Sequence, residues 1–173
     1  MHPEFQRMII ERDEAAMEQA YHADELPHVV NIDWREDDAE VVALCAGCLE
    51  LHSLKAEPHD DGMDVEFEGR KFKVPLQFDE GDRHITLCAL NRILESRYQL
   101  RFVVISHGGD TMGVAALSVA DWAALEQSAA ASVAENFIDP RKLPNVYTEL
   151  TDEKLPAAAR ARHARMLERN RSR

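Results

Sequence analysis

Apolar and polar positions along the chain alternate with two different periods, and they divide it into helical and extended segments. Residues 3–22 carry Phe5, Ile9, Ala16 and Ala20 at helical spacing, with Pro3 suited to a first helical position. Pro27 ends that helix. Val29, Val30, Ile32 and Trp34 then form a short apolar run, a strand or a packed loop. Asp37 and Asp38 can cap a helix over Ala39–Leu51, whose apolar side holds Val41, Val42, Cys45, Cys48 and Leu49.

The pattern switches to a period of two at Val65-Glu-Phe-Glu-Gly-Arg-Lys-Phe-Lys-Val74. A turn at Gly69-Arg70, with glycine first, predicts a type II′ hairpin. In that register Phe67 faces Phe72 and Val65 faces Val74. Glu68 meets Lys71 and Glu66 meets Lys73 on the opposite, wet face. Asp82 caps a helix to about Arg97 with a wide apolar stripe through Ile85, Leu87, Cys88, Leu90, Ile93 and Leu94. Leu100–Ser106 has no alternation, which predicts a strand covered on both faces. Gly108-Gly109 turns it back into Met112–Leu117. Ser118 and Asp121 form a capping pattern for a helix to about Glu135.

Residues 136–150, with Pro140 and Pro144, read as an extended connection. A last helix from Pro156 toward Asn170 offers only alanines, Met166 and Leu167 as its apolar stripe. So thin a stripe predicts a peripheral helix that could be deleted without loss of the fold. The order of elements predicts one α+β domain with a mainly antiparallel sheet built from two hairpins and flanked by helices. Residues 1–150 form its acidic body and 151–173 a basic helical extension.

Charge changes the picture more than composition does. The 173 residues are 45% hydrophobic and 30% charged, ordinary for a globular chain. The net charge of −12 is unevenly spread. Residues 154–173 hold seven Lys and Arg against Glu168, a balance of +6, leaving −18 on residues 1–153. An acidic body disfavours nucleic acid and anionic membranes as partners. It favours a basic protein, unless the acidity serves only solubility. The acids fall into three clusters: Asp24, Glu25, Asp33, Glu36, Asp37 and Asp38; Glu57, Asp60, Asp61 and Asp64; and Asp79, Glu80 and Asp82. Trp34, beside the first cluster, is the candidate anchor. The basic tail has no aromatic residue with which to stack bases or enter lipid, and it can fold back on the body.

The chemistry-bearing groups are sparse. Cys45-Ala-Gly-Cys48 has redox or half-zinc spacing, but it falls inside a helix, where small buried side chains are the simpler reading. His107-Gly-Gly-Asp110-Thr111 falls at a hairpin tip, where His107 and Asp110 could share a proton or merely make the turn. His59, Asp60, Asp61 and Asp64 lack the order of a calcium loop and read as a solvated acidic turn. No catalytic, metal or cofactor constellation is called for. The start of the chain lacks a signal-like pattern and no apolar run reaches the roughly 20 residues of a membrane helix, so a cytoplasmic location with reduced thiols is expected.

The block Val65–Leu76, the segment Leu87-Cys-Ala-Leu-Asn-Arg-Ile-Leu94, and Tyr98–Glu126 with Ser106-His-Gly-Gly-Asp-Thr111 together resemble small acidic bacterial immunity proteins. These act as partners of polymorphic toxins of the contact-dependent inhibition kind. The resemblance is one of layout. It implies a cytoplasmic, non-enzymatic protein that binds and blocks a toxin domain, often a basic nuclease. The rival expectation is a small hydrolase or metal-dependent enzyme using His107 and Asp110, or Cys45 and Cys48.

Overall fold

The computed structural model describes residues 1–172. Over these described residues the fold is α+β, with six α-helices and two antiparallel sheets. The helices are α1 (Pro3–Ile10), α2 (Glu14–His22), α3 (Asp38–Cys48), α4 (Asp82–Ile93), α5 (Val119–Asn136) and α6 (Ala157–Arg171). Strands β1 (Val29–Asp33), β5 (Tyr98–Val103), β6 (Thr111–Ser118) and β7 (Phe137–Ile138) make one sheet in the order β1-β6-β5-β7. Strands β2 (Lys55–His59), β3 (Gly62–Phe67) and β4 (Arg70–Pro75) make the other, a simple meander.

The two expected hairpins therefore belong to different sheets. The four-stranded sheet is covered on both faces, but the strand expected over Leu100–Ser106 ends at Val103, and the apolar run continues in a buried 3₁₀ turn, Val104–Ser106. Leu100, Phe102, Val114 and Ala116 point into one core with α3, α4 and the small sheet. Val103, Ala115 and Leu117 point into the other, with α1, α2 and α5. Gly113 of β6 lets Tyr21 of α2 lie against the strand, because a Cβ there would come within 2.7 Å of the tyrosine ring. Asn91 registers α4 on β5. Its side-chain amide donates to the Leu100 carbonyl at 2.8 Å and accepts from the Leu100 amide at 2.7 Å.

The small sheet corrects the hairpin register. Glu68 and Gly69, at φ 51° and 75°, are the two central turn residues, and Phe67 faces Arg70. Two positive φ values make this a type I′ turn instead of a II′ turn at Gly69-Arg70. Val65 faces Phe72, Met63 faces Val74, Glu66 faces Lys71 and Asp64 faces Lys73. Shifting the turn by one residue slides the partners by two. Every side chain thus keeps its face and opposite charges still meet, so alternation could not separate the two registers.

Two helix starts also differ from expectation. The first helix is two, broken where Arg12 takes a φ of 56° and Asp13 caps α2 by accepting from the Ala16 amide. Asp82 does not cap α4. Its buried carboxylate turns back to accept from the amides of Gln77, Phe78 and Asp79. Helix α5 starts at Ser118 as the capping pattern requires, with the Ser118 hydroxyl accepting from the Asp121 amide, and kinks at Ala129.

Helix α6 lies at the outside of the fold, but it is seated far more firmly than its thin stripe predicts. Ala159 and Met166 enter the two cores. Arg162 is 1% exposed and donates to Glu18 at 2.8 Å and to Asn136 at 3.1 Å. Arg165 donates to Glu14 and Glu135, and Arg169 to Glu14 and Glu18. A polar seam takes the place of the missing apolar area, and the basic tail folds back on the acidic body. Among the described residues no helix is long and apolar enough to cross a membrane.

Candidate functional site

The loops at one end of the four-stranded sheet bring together groups from four parts of the sequence. Trp34 follows β1, Glu80 precedes α4, His107 and Asp110 come from the β5–β6 connection with Thr111 at the start of β6, and Val146 and Tyr147 come from the segment before α6. These residues line an open cleft of about 270 Å³. Local bonds hold its walls. Asn145 donates to the Gly81 carbonyl at 2.9 Å, and Arg83 donates to the Glu36 carbonyl at 2.8 Å. The Arg83 guanidinium also lies 5.8 Å from the centre of the Tyr147 ring.

Glu80 of the third acidic cluster lines this cleft, and so does Trp34, which the first cluster flanks in sequence. Asp33 is paired with Arg35 at 3.1 Å, and the Arg35 guanidinium stacks 5.5 Å above the Trp34 ring. Hydrogen bonds from Arg35 hold the Asp33 carboxyl below its ordinary range. Glu36 accepts from the Asp33 amide, and burial lifts its carboxyl above the ordinary range. Asp37 is exposed and caps α3 through the Glu40 amide. Asp79, also exposed, accepts from the Gly81 amide. Trp34 is 53% exposed and Phe78, two residues before Glu80, is 65% exposed. Large aromatic side chains left in water beside crowded carboxylates are an unusual local choice.

Two expected contact residues do not belong to this surface. Asp82 is 1% exposed and fully committed to the loop before it. Asp38 is half-buried and takes a hydrogen bond from Thr86, with burial raising its carboxyl. The second cluster lies elsewhere, on the small sheet. His59 pairs with Gly62, so Asp60 and Asp61 form the β2–β3 turn, and Asp64 approaches His59 at 3.6 Å. Asp24 accepts from the Asn31 side chain.

The cysteines stay inside α3 and α4. Cys45 and Cys88 are buried and Cys48 is half-buried, all as free thiols. Burial pushes the Cys45 thiol up strongly and the Cys48 thiol up to about 11, which suppresses the thiolate that redox or nucleophilic chemistry needs.

His107 finds a carboxylate other than Asp110. Its Nε2 is 2.8 Å from Oδ1 of Asp152, in the 3₁₀ turn Asp152–Lys154. His163 of α6 reaches the same oxygen through Nδ1 at 3.3 Å. The two imidazoles meet edge to face, 4.8 Å apart. Burial, followed by the neighbouring His107, lowers the His163 pKa and favours its neutral ring. Sequence reading missed Asp152 and His163 because 45 and 56 residues separate them from His107, and only the return of α6 brings them together. No protein-family model matches the chain, and neither curated proteins nor solved structures provide a match.

Proposed function

We propose that the chain is a non-enzymatic binding protein of the immunity type, which blocks a basic toxin domain by direct contact. The contact surface is the rim of the cleft: Asp33, Trp34, Glu36 and Asp37 on one side, Phe78, Asp79 and Glu80 on the other. One observation carries this reading. Two loops far apart in sequence each expose a large aromatic residue among carboxylates, and they border the same cleft. Such a rim combines what a tight, selective interface needs. Aromatic anchors supply the buried area that holds a complex, while the surrounding charge steers encounter and rejects wrong partners.

The arginines of α6 do not cancel this charge. Arg162, Arg165 and Arg169 are engaged with Glu14, Glu18 and Glu135, none of which belongs to the rim. Of the rim acids, Asp33 is paired with Arg35, while Asp37, Asp79 and Glu80 are exposed to an external cation. A nuclease domain is the favoured class of partner, since the Lys and Arg that hold phosphate present the complementary charge. Cytoplasmic neutralisation of such a domain is the role that this chemistry would serve.

The test is affinity capture from the source cell with the intact chain and two variants. One carries Glu36→Lys, Asp37→Lys and Glu80→Lys. The other carries Asp60→Lys and Asp61→Lys on the small sheet. The reading expects a basic protein retained by the native chain and by the small-sheet variant but lost with the rim variant. Equal retention by all three would overturn it.

A further inference from the structure

We infer that His107, Asp152 and His163 form a binding site for a zinc-class divalent cation, a site independent of the acidic rim. The three groups come from the β5–β6 connection, the 3₁₀ turn before α6, and α6 itself. Each offers a ligand atom, and these atoms all lie within 4.8 Å of one another. A tetrahedral zinc site with bonds of about 2.0–2.1 Å places its ligand atoms roughly 3.3 Å apart. His107 Nε2 and His163 Nδ1 lie 2.8 and 3.3 Å from the same Asp152 oxygen, and the two nitrogens, within 4.8 Å of each other, would draw together on an ion.

The donor set is selective. Two imidazoles and one carboxylate suit zinc and its first-row neighbours better than calcium or magnesium, which prefer all-oxygen shells. The histidine side chains are 10% and 7% exposed, whereas Asp152 is 58% exposed. The nitrogens are thus fixed by packing, and an ion can arrive from the carboxylate side. His107 packs edge-on against Phe102 at 6.5 Å, which orients its ring. The cation Arg162 beside His163 is neutralised by Glu18, so it does not oppose a bound ion at full strength.

Three protein ligands leave one tetrahedral position open. His107 also lines the cleft, so the site and the rim share one wall. Because two ligands precede or lie within α6 and the third lies in the β5–β6 connection, a bound ion would also fasten α6 to the body.

The test uses the purified full chain, stripped with chelator and titrated with Zn²⁺ by calorimetry, beside Asp152→Asn and His107→Gln. One equivalent of zinc should bind the native chain and raise its melting temperature. Both effects should be lost in Asp152→Asn, whose exposed position leaves the core untouched. Failure of the native chain to bind one equivalent would overturn the site. So would binding by both variants equal to that of the native chain, which would place the ion elsewhere. A second readout needs no variant. Co²⁺ bound to the native chain should show d–d bands without a thiolate-to-cobalt transition, and a strong thiolate transition would refute the assignment.

Discussion

Arg162 and Glu18, 144 residues apart in the chain, form an ion pair of 2.8 Å in which both side chains are almost fully buried. The pair joins the last helix to the second and is flanked by Arg165 and Arg169 on Glu14. Breaking one side of a buried pair strands the other charge, at a cost of about 3–5 kcal/mol. Arg162→Ala should therefore destabilise the fold by about that amount in denaturant melts. Truncation before Ala157 should abolish cooperative unfolding, contrary to the tolerance expected from the alanine-rich stripe alone. A truncated chain with an unchanged melt would show that the seam contributes nothing.

The same seam gives a pH dependence of definite sign. Burial alone would raise the Glu14 carboxyl, but hydrogen bonds from Arg165 and Arg169 and the charge of Arg162 outweigh it and lower its pKa below the ordinary 4.5. A depressed folded value stabilises the fold above the unfolded value, and that stabilisation is lost as pH falls through the folded one. Stability should fall below about pH 4.5, and Glu14→Gln should flatten that part of the curve. Identical acid limbs for the native chain and Glu14→Gln, measured by chemical melts from pH 3 to 6, would contradict the clamp.

The hairpin turn can be tested by a substitution with opposite consequences in the two registers. Glu68 sits at φ 51°, a conformation costly for most side chains but favoured by asparagine in a type I′ turn. Glu68→Asn should stabilise the protein by up to about 1 kcal/mol, less the small loss of the exposed Glu68–Arg97 pair. Were Glu68 the last strand residue before a Gly69-Arg70 turn, the same change would destabilise. Phe67 is 7% exposed, so Phe67→Ala should cost about 3–5 kcal/mol in either register.

Burial raises the pKa of all three thiols. At pH 8 the folded protein should react slowly with a disulfide reagent, Cys48 first, and rapidly once unfolded. Fast, stoichiometric labelling of Cys45 in the native state would restore the redox reading of Cys45-Ala-Gly-Cys48.

Local features of the sequence carried most of the element pattern. The capping serine at Ser118 and the cap at Asp37 each express a short-range rule, and each appears in the structure, whereas the apolar run Leu100–Ser106 is strand only to Val103. What was not legible depends on long-range closure. Strand β2, with Pro58 and a wet surface, has no strong pattern of its own and exists because β3 offers it an edge. The firm seating of α6 rests on arginines meeting acids from α2 and α5, which apolar bookkeeping cannot register. At the candidate site, the acids and Trp34 could be named in advance. That Asp82 turns inward, that Phe78 turns outward, and that Asp152 replaces Asp110 as the partner of His107 follow only from the folded chain.

The central claim is that the rim around Trp34 and Glu80 reads a basic protein. Association kinetics of the captured partner with the native chain, across a range of salt concentrations, test it most directly. The rate constant should fall steeply as salt rises. Glu36→Lys, Asp37→Lys and Glu80→Lys together should lower it at low salt by at least about tenfold and flatten its salt dependence, because steering depends on the field of these acids. Trp34→Ala should instead leave the association rate nearly unchanged and raise the dissociation rate. Association that is insensitive to salt and to the three charge reversals would contradict the account.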